Sequence, residues 1–325
     1  MKRILPIAGI MVVFLLTAFL LIKIYDKGKE QKPLRYADIP QETIDWIESL
    51  GNGFGDILAG FNPNPIPTPW DNEGDFGQDS LSGLKTLEDD YFIFYFPESL
   101  TNKAKLCQQL AHESIPRMED IVGKYYYPED MNGRKVPIYL TPDQKSFESL
   151  MEKLFKSRQD YSSTGGVTIS SISPSGYYLV AIALNGHFSF QSPKDTKEIL
   201  WHELTHYCFF ASIDYNYYVN LPMWCYEGIA EYTAKQERPS FTHHEITMMQ
   251  EDCHFTDPYF PYVFENYEGG QSIFCHMEDR YHVDGVKRFL RSLYTQGLQT
   301  SLKDNFSTTI PQFENNWKAN LEKFR

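Results

Sequence analysis

The sequence predicts a mixed α+β fold in which strands come first and helices follow. Three runs rich in aromatic and β-branched residues are typical of strands, and all end by residue 184: DDYFIFYFP, KVPIYLT and GYYLVAIAL. The segments after residue 185 carry the signals of helices instead. A chain of 325 residues, 42% hydrophobic and 15% aromatic, can bury a large core. We therefore expect N-terminal strands followed by a helical C-terminal lobe.

The chain opens with a segment that is long and apolar enough to span a membrane. Residues 4–22 carry no charge, and Lys2, Arg3 and Lys23 flank them. This run exceeds the apolar core of about 7 to 15 residues that is usual in a signal peptide, and no A-x-A-like cleavage site follows it. We expect an uncleaved single-pass anchor within residues 1–30, with a cleaved signal peptide as the alternative.

Two sequence signals predict opposite orientations for this anchor. Lysine and arginine are more frequent after the apolar run than before it, which by that count alone places the C-terminal part in the cytoplasm. A basic N-terminus leading directly into an apolar run resembles an export signal instead. We expect the C-terminal part to be extracytoplasmic.

Residues 31–85 are expected to form a tether before the folded part begins. The segment is dense in Gly, Pro, Asn and Asp, which break helices and strands, although ETIDWIESL near its start has the pattern of a short amphipathic turn. The folded domain is expected to span residues 86–325.

A helical pattern follows the first predicted strand. The segment LTNKAKLCQQLAHESIPRMEDIVGKYY has apolar residues at helical spacing, but Pro116 lies near its middle. Proline removes a backbone donor and clashes with the preceding turn. We therefore expect two helical pieces that divide at Pro116.

Composition argues against two kinds of site. The formal net charge of -13 opposes binding to polyanions, so nucleic acid is not an expected partner. The five cysteines form no CxxC pair, so the sequence indicates neither a zinc ribbon nor a redox dithiol and favours buried packing for each of them.

The segment SPKDTKEILWHELTHYCFF has a helix start signal. Ser192 is suited to the N-cap, Pro193 to the first helical position, and Asp195 brings a negative charge into the first turn.

This helix carries the pattern H-E-x-x-H. His202 and His206 are four residues apart and share one face, so both imidazoles can reach one metal ion. Glu203 lies beside them, where it can act on a metal-bound water. Such a short pattern also occurs by chance, and a catalytic zinc needs a third protein ligand.

The third ligand separates the classes of zinc enzyme. The metzincin extension is missing, because Phe209 and Ser212 stand where glycine and histidine are required. Downstream, LPMWCYEGIAEYTAKQ carries Glu227 and Glu231 on one face of a second helix. One can bind the metal and the other can hold a ligating histidine by a hydrogen bond, and spacing alone allows either assignment.

Other histidines are weaker candidates. His243, His244 and Glu245 lack the second histidine of the motif, so we expect them to be solvated polar residues. His276 and His282 are six positions apart and would not share a helix face, which argues against a second metal site.

Three segments resemble one family of zinc enzymes. HELTH, followed after 20 residues by Glu227 within WCYEGIAEY, resembles the gluzincin zinc peptidases, and in particular their peptidase MA-like members. NYEGGQSIF at 266–274 resembles the Y-x-x-G helix start of aminopeptidase-N-like gluzincins. The resemblance implies a thermolysin-like or gluzincin-like fold in which an active-site helix follows the strands.

The resemblance also implies a role for each site residue. It makes Glu227 the third ligand of one catalytic Zn²⁺, beside His202 and His206, and Glu231 the acid that holds a ligating histidine. Glu203 is then the catalytic base, and Tyr267 the donor of a hydrogen bond to the oxyanion.

We expect a membrane-tethered zinc metallopeptidase that acts on a peptide or protein substrate. No G-x-M-E-N-like segment is found upstream to capture a free amine, so the sequence favours an endopeptidase over an aminopeptidase. GYYLVAIAL is the nearest upstream strand against which a substrate could lie. The alternative is a catalytically silent binding or scaffold protein with a peptidase-like fold.

Overall fold

The computed structural model describes residues 83–123, 135–155, 161–173, 176–219, 221–235, 237–256 and 267–325. The expected anchor, and almost all of the expected tether, lie outside these residues. No helix in the described part of the chain is long and apolar enough to cross a membrane.

Five strands form one mixed sheet. They are β1 (Leu84–Glu88), β2 (Phe92–Pro97), β3 (Val136–Thr141), β4 (Gly166–Ser173) and β5 (Gly176–Asn185). Their order is β1-β2-β3-β5-β4, and the central strands β2, β3 and β5 are parallel. The two outer strands β1 and β4 run antiparallel to their neighbours. All five precede residue 186, so the described chain is α+β with its strands in the N-terminal part.

Within the described residues, α-helices pack on both faces of the sheet. The described α-helices are α1 (Thr101–Ile121), α2 (Gln144–Phe155), α3 (Gly186–Ser189), α4 (Pro193–Ser212), α5 (Tyr215–Tyr218), α6 (Trp224–Ala234), α7 (His243–Asp252), α8 (Glu268–Phe306) and α9 (Ile310–Lys318). Helix α8 is interrupted at His282 and Gly297, where φ is positive.

The three strands predicted from the sequence are β2, β3 and β5, and the prediction is confirmed for each. Strands β1 and β4 were missed because their sequences, LKTLE and GVTISSIS, have few large apolar residues.

Strand β5 is not at the edge of the sheet. β5 pairs with β3 on one side and β4 on the other, so the expectation that a substrate could pair with GYYLVAIAL is wrong. Within the described residues the outer strand on that side is β4.

The sheet is buried on both faces. On one face, alternate residues of β2 (Phe92, Phe94 and Phe96) enter the large core that α1 and α4 share. On the other face, Tyr139 and Ala183 pack in a smaller cluster with residues of α2. The sheet is therefore a rigid platform for the helix that carries the H-E-x-x-H motif.

The expected division at Pro116 does not occur. Helix α1 runs unbroken from Thr101 to Ile121 with Pro116 inside it. Its buried face continues across the proline, from Cys107 and Leu110 before it to Met118 after it. An interior proline costs about 3 kcal/mol, and burying several large side chains offsets a cost of that size.

Two glycines let helices α6 and α8 cross at backbone contact. A Cβ atom added to Gly228 would lie 2.6 Å from the carbonyl carbon and oxygen of Gly270. A Cβ atom added to Gly270 would lie 2.9 Å from the Cα of Gly228. Only glycine at both positions permits this approach, which brings Glu227 on α6 and Tyr267 at the start of α8 toward the same region.

We predict that Gly270→Ala lowers the free energy of unfolding by about 1 to 3 kcal/mol, because the new methyl group clashes with rigid backbone. Without that clash, alanine in a helix would raise stability instead. Chemical denaturation of the full-length protein measures the change. Thr295→Ala, an exposed substitution on the same helix, is the matched control and should stay within about 0.5 kcal/mol. A stabilised Gly270→Ala variant would contradict the close crossing.

Candidate metal centre

Helix α4 presents the motif residues on one side and core residues on the other. Its start is as predicted, because the Ser192 side chain accepts a hydrogen bond from the backbone N–H of Asp195 and Pro193 takes the first position. Leu200 and Leu204 are fully buried in the core. The helix is thereby held with its histidines toward a groove.

Three donor atoms converge beside this helix. The Nε2 atoms of His202 and His206 lie 2.9 Å apart. Each also lies 3.2 Å from Oε2 of Glu227, which α6 contributes. Among the described residues, this is the group of histidine, cysteine or acidic side chains whose geometry suits a metal ion.

The three donors fit a zinc ion. Two ligand atoms that each lie about 2.0 to 2.1 Å from a tetrahedral zinc are separated by about 3.3 Å, slightly more than the distances observed here. Oε2 of Glu227 is buried and makes no hydrogen bond of acceptable angle within the described residues, despite its two imidazole neighbours. Contact without hydrogen-bond geometry is expected of atoms that share a cation.

Two different contacts orient the two imidazoles. Nδ1 of His202 faces Oε1 of Glu231 at 3.3 Å, which directs its Nε2 toward Glu227. The ring of His206 stacks on Phe210, with centroids 5.5 Å apart and planes 4° apart. Spacing left the roles of Glu227 and Glu231 open. The geometry places Glu227 with the converging donors and Glu231 behind one histidine.

The electrostatics favour an ionised carboxylate at the centre. Burial raises the pKa of Glu227, but His206 and His202 outweigh it and lower that pKa to about 2. Burial likewise lowers the pKa of His202, yet the carboxylates of Glu227 and Glu231 raise it well above its ordinary value. The Glu227 carboxylate is therefore ionised at neutral pH in this buried position.

Glu203 is held against the outer strand β4. The hydroxyl of Thr168 lies 2.7 Å from Oε2 of Glu203 and 2.8 Å from its backbone oxygen. A Cβ atom added to Gly166 would lie 2.9 Å from Cγ of Glu203, so glycine is needed there to make room for the carboxylate. Thr168 thus orients Oε2 of the Glu203 carboxylate and leaves Oε1 as the oxygen that it does not contact.

Tyr267 also lies at the site. It is the residue before α8, as the Y-x-x-G pattern predicted for a helix start. Its ring lies 5.7 Å from the ring of His202, measured between centroids. The structure therefore brings all six predicted site residues together, listed in chain order as His202, Glu203, His206, Glu227, Glu231 and Tyr267.

These residues line a groove of about 1020 Å³. One wall is Gly165 and the first residues of β4, from Gly166 to Thr168, and the floor is helix α4. A groove of this size can take several residues of an extended peptide.

Sequence reasoning missed two groups at the site, Thr168 and Lys235. No sequence signal marks Thr168, because its contact with Glu203 depends on how β4 packs on α4. Lys235 follows Glu231 by four residues, a spacing that often indicates a helix ion pair and that could have identified it.

The weaker candidates have structural roles. Glu245 forms a capping box with Thr242 at the start of α7, and His243 is exposed. His276 is buried against the ring of Phe313, and His282 is exposed at the first interruption of α8. All five cysteines are buried and free, as packing residues should be.

No protein-family model matches this chain, and no curated protein matches it either.

We predict different outcomes for the two α6 carboxylates when each is replaced by alanine. Glu227→Ala should remove most bound zinc, because one of three donor atoms is lost. Glu231→Ala should weaken zinc binding by about 10- to 100-fold but still fill in excess zinc, because it only frees the His202 ring. Zinc titration of both variants side by side makes the comparison. Loss of metal from Glu231→Ala alone would reverse the assignment.

Proposed function

We propose that this protein is a zinc-dependent metallopeptidase that cleaves peptide bonds within a protein or peptide substrate. The observation that carries this proposal is the convergence of His202, His206 and Glu227 on one point in the wall of an open groove. A structural zinc site is normally closed by four protein ligands, whereas a catalytic site keeps one position for substrate or water. The α+β arrangement and the ordered motifs support a gluzincin-like fold as part of the proposal.

The three donors would hold one zinc ion, which when bound makes water more acidic and polarises a carbonyl group. The protein's own residues supply the remaining chemistry. Glu203 accepts a proton at Oε1 from the attacking water, since Thr168 engages Oε2. The same oxygen then returns the proton to the nitrogen of the leaving amine.

We assign Tyr267 the role of donating a hydrogen bond to the oxyanion that develops during hydrolysis. Its ring lines the groove next to His202. A single hydrogen-bond donor directed at a developing oxyanion contributes about 3 to 4 kcal/mol of transition-state stabilisation.

The substrate is proposed to lie in an extended form along β4. Within the described residues this strand pairs with β5 on one side only, and Gly165 to Thr168 line the groove. An extended peptide can add to such an edge through backbone hydrogen bonds, which accept many sequences. Binding through the peptide backbone suits an endopeptidase, and the N-terminal segment is proposed to tether this activity to a membrane.

Glu203→Gln should abolish peptide hydrolysis while zinc still binds, because the amide cannot carry the proton. The experiment measures cleavage of casein and zinc content in the full-length protein. Glu113→Gln is the matched control, since Glu113 also follows a histidine but is exposed on α1. If Glu203→Gln retains appreciable activity, the base is another residue. If the unmodified protein binds zinc but cleaves no substrate, the silent binding protein is the better reading.

Tyr267→Phe should lower turnover by about a hundredfold or more and leave zinc content unchanged, because only a hydrogen bond made in the transition state is lost. Steady-state kinetics on a peptide substrate give the ratio. Tyr281→Phe on the same helix is the control, as its ring stacks on Phe306. Full activity in Tyr267→Phe would remove this residue from the chemistry.

A further inference from the structure

One lysine joins the metal centre to the start of α8. Nζ of Lys235 lies 3.0 Å from Oε2 of Glu231, whose other oxygen faces His202. It also lies 3.1 Å from Oε1 of Glu268, the residue that follows Tyr267. A continuous line of polar contacts therefore runs from the His202 imidazole through Glu231 and Lys235 to Glu268.

This ion pair is better shielded than a typical helix pair. The side chains of Glu231 and Lys235 are 12% and 27% exposed. A solvated pair four residues apart is worth little, but a shielded one positions its members more firmly. Lys194 provides a contrast on α4, because its contact with Glu198 is 3.7 Å long and its side chain is 57% exposed.

Lys235 supplies positive charge to a groove that is lined mainly by acidic side chains. Five acidic side chains line the groove: Asp195, Glu198, Glu203, Glu227 and Glu231. Among the described lining residues, Lys235 is the one lysine or arginine. Burial lowers the pKa of Lys235, but Glu231 and Glu268 outweigh it and raise that pKa above its ordinary value. The ammonium is therefore charged at neutral pH and offsets one of the buried carboxylates.

We propose that Lys235 is a positioning residue that holds the Glu231 carboxylate against His202 and thereby strengthens metal binding at the His202, His206 and Glu227 cluster. Without the ammonium, Glu231 loses the contact that fixes its second oxygen and is repelled by its acidic neighbours. The His202 ring is then less firmly directed at the metal. This inference rests on the proposed zinc site, and it adds a residue to which neither the motifs nor the resemblance gives a role.

A double-mutant cycle tests the proposal. Zinc affinity is measured by competition with a chromophoric chelator for the full-length protein, Lys235→Met, Glu231→Ala and the double variant. Lys235→Met should weaken zinc binding about tenfold. In the Glu231→Ala background the same substitution should change affinity by less than about twofold, because the residue through which Lys235 acts is gone. Lys194→Met, the matched control, should also stay within about twofold.

Each other outcome overturns the proposal. An unchanged affinity in Lys235→Met shows that the ammonium does not support the site. An equal tenfold loss in both backgrounds shows a general effect on the fold rather than an action through Glu231. If Lys235→Met does not fold, Glu268→Gln removes the other partner of the ammonium and should weaken zinc binding about threefold, and no loss would overturn the proposal. Failure of the unmodified protein to bind zinc would overturn the proposed function as well. The unmodified protein therefore distinguishes failure of the proposed function from failure of the role proposed for Lys235.

Discussion

The crossing of α6 and α8 at Gly228 and Gly270 is the contact on which the rest of the site depends. Glu227 is the neighbour of one glycine, and Tyr267 lies three residues before the other. Because neither glycine has a side chain, the two helix backbones meet directly and their separation cannot adjust. The E-G and Y-x-x-G patterns are thus two halves of one packing contact. That contact brings the Glu227 carboxylate, a candidate metal ligand, and the Tyr267 ring to the same groove.

A buried site with this much negative charge needs compensation, and the structure supplies it at each carboxylate. Glu227 faces two imidazoles, Glu231 faces His202 and Lys235, and Glu203 accepts from Thr168. Removing a partner from any of these would leave a charge without compensation in a place that water reaches poorly, which is costly. The proposed zinc would replace the contact between Nε2 of His202 and Nε2 of His206, while Oε2 of Glu227 is buried with no hydrogen-bond partner among the described residues.

Local patterns predicted the parts of the fold whose cause is local. The start of α4 at Ser192 follows from its capping residues, and strand β2 follows from its aromatic run. The division at Pro116 was wrong because packing on both sides of the proline outweighs the local cost. The polar strand β4 was missed because its place in the sheet comes from pairing with β5, not from its own composition. The position of Thr168 depends on β4 in turn, so no reading of the sequence could have found its contact with Glu203.

The three donors differ in how they come together as the chain folds. His202 and His206 are brought into range by one turn of helix, a structure that can form early and reversibly. Glu227 arrives only when α6 packs beside α4, and Arg117 of α1 helps to fix that packing by donating to the backbone oxygens of Thr233 and Tyr232 at the end of α6. For the proposed zinc, a partly folded chain would offer a weak bidentate chelate, and the native chain a tridentate one. Metal affinity would then report the docking of these helices, and the ion itself would favour the native state over every intermediate that precedes it.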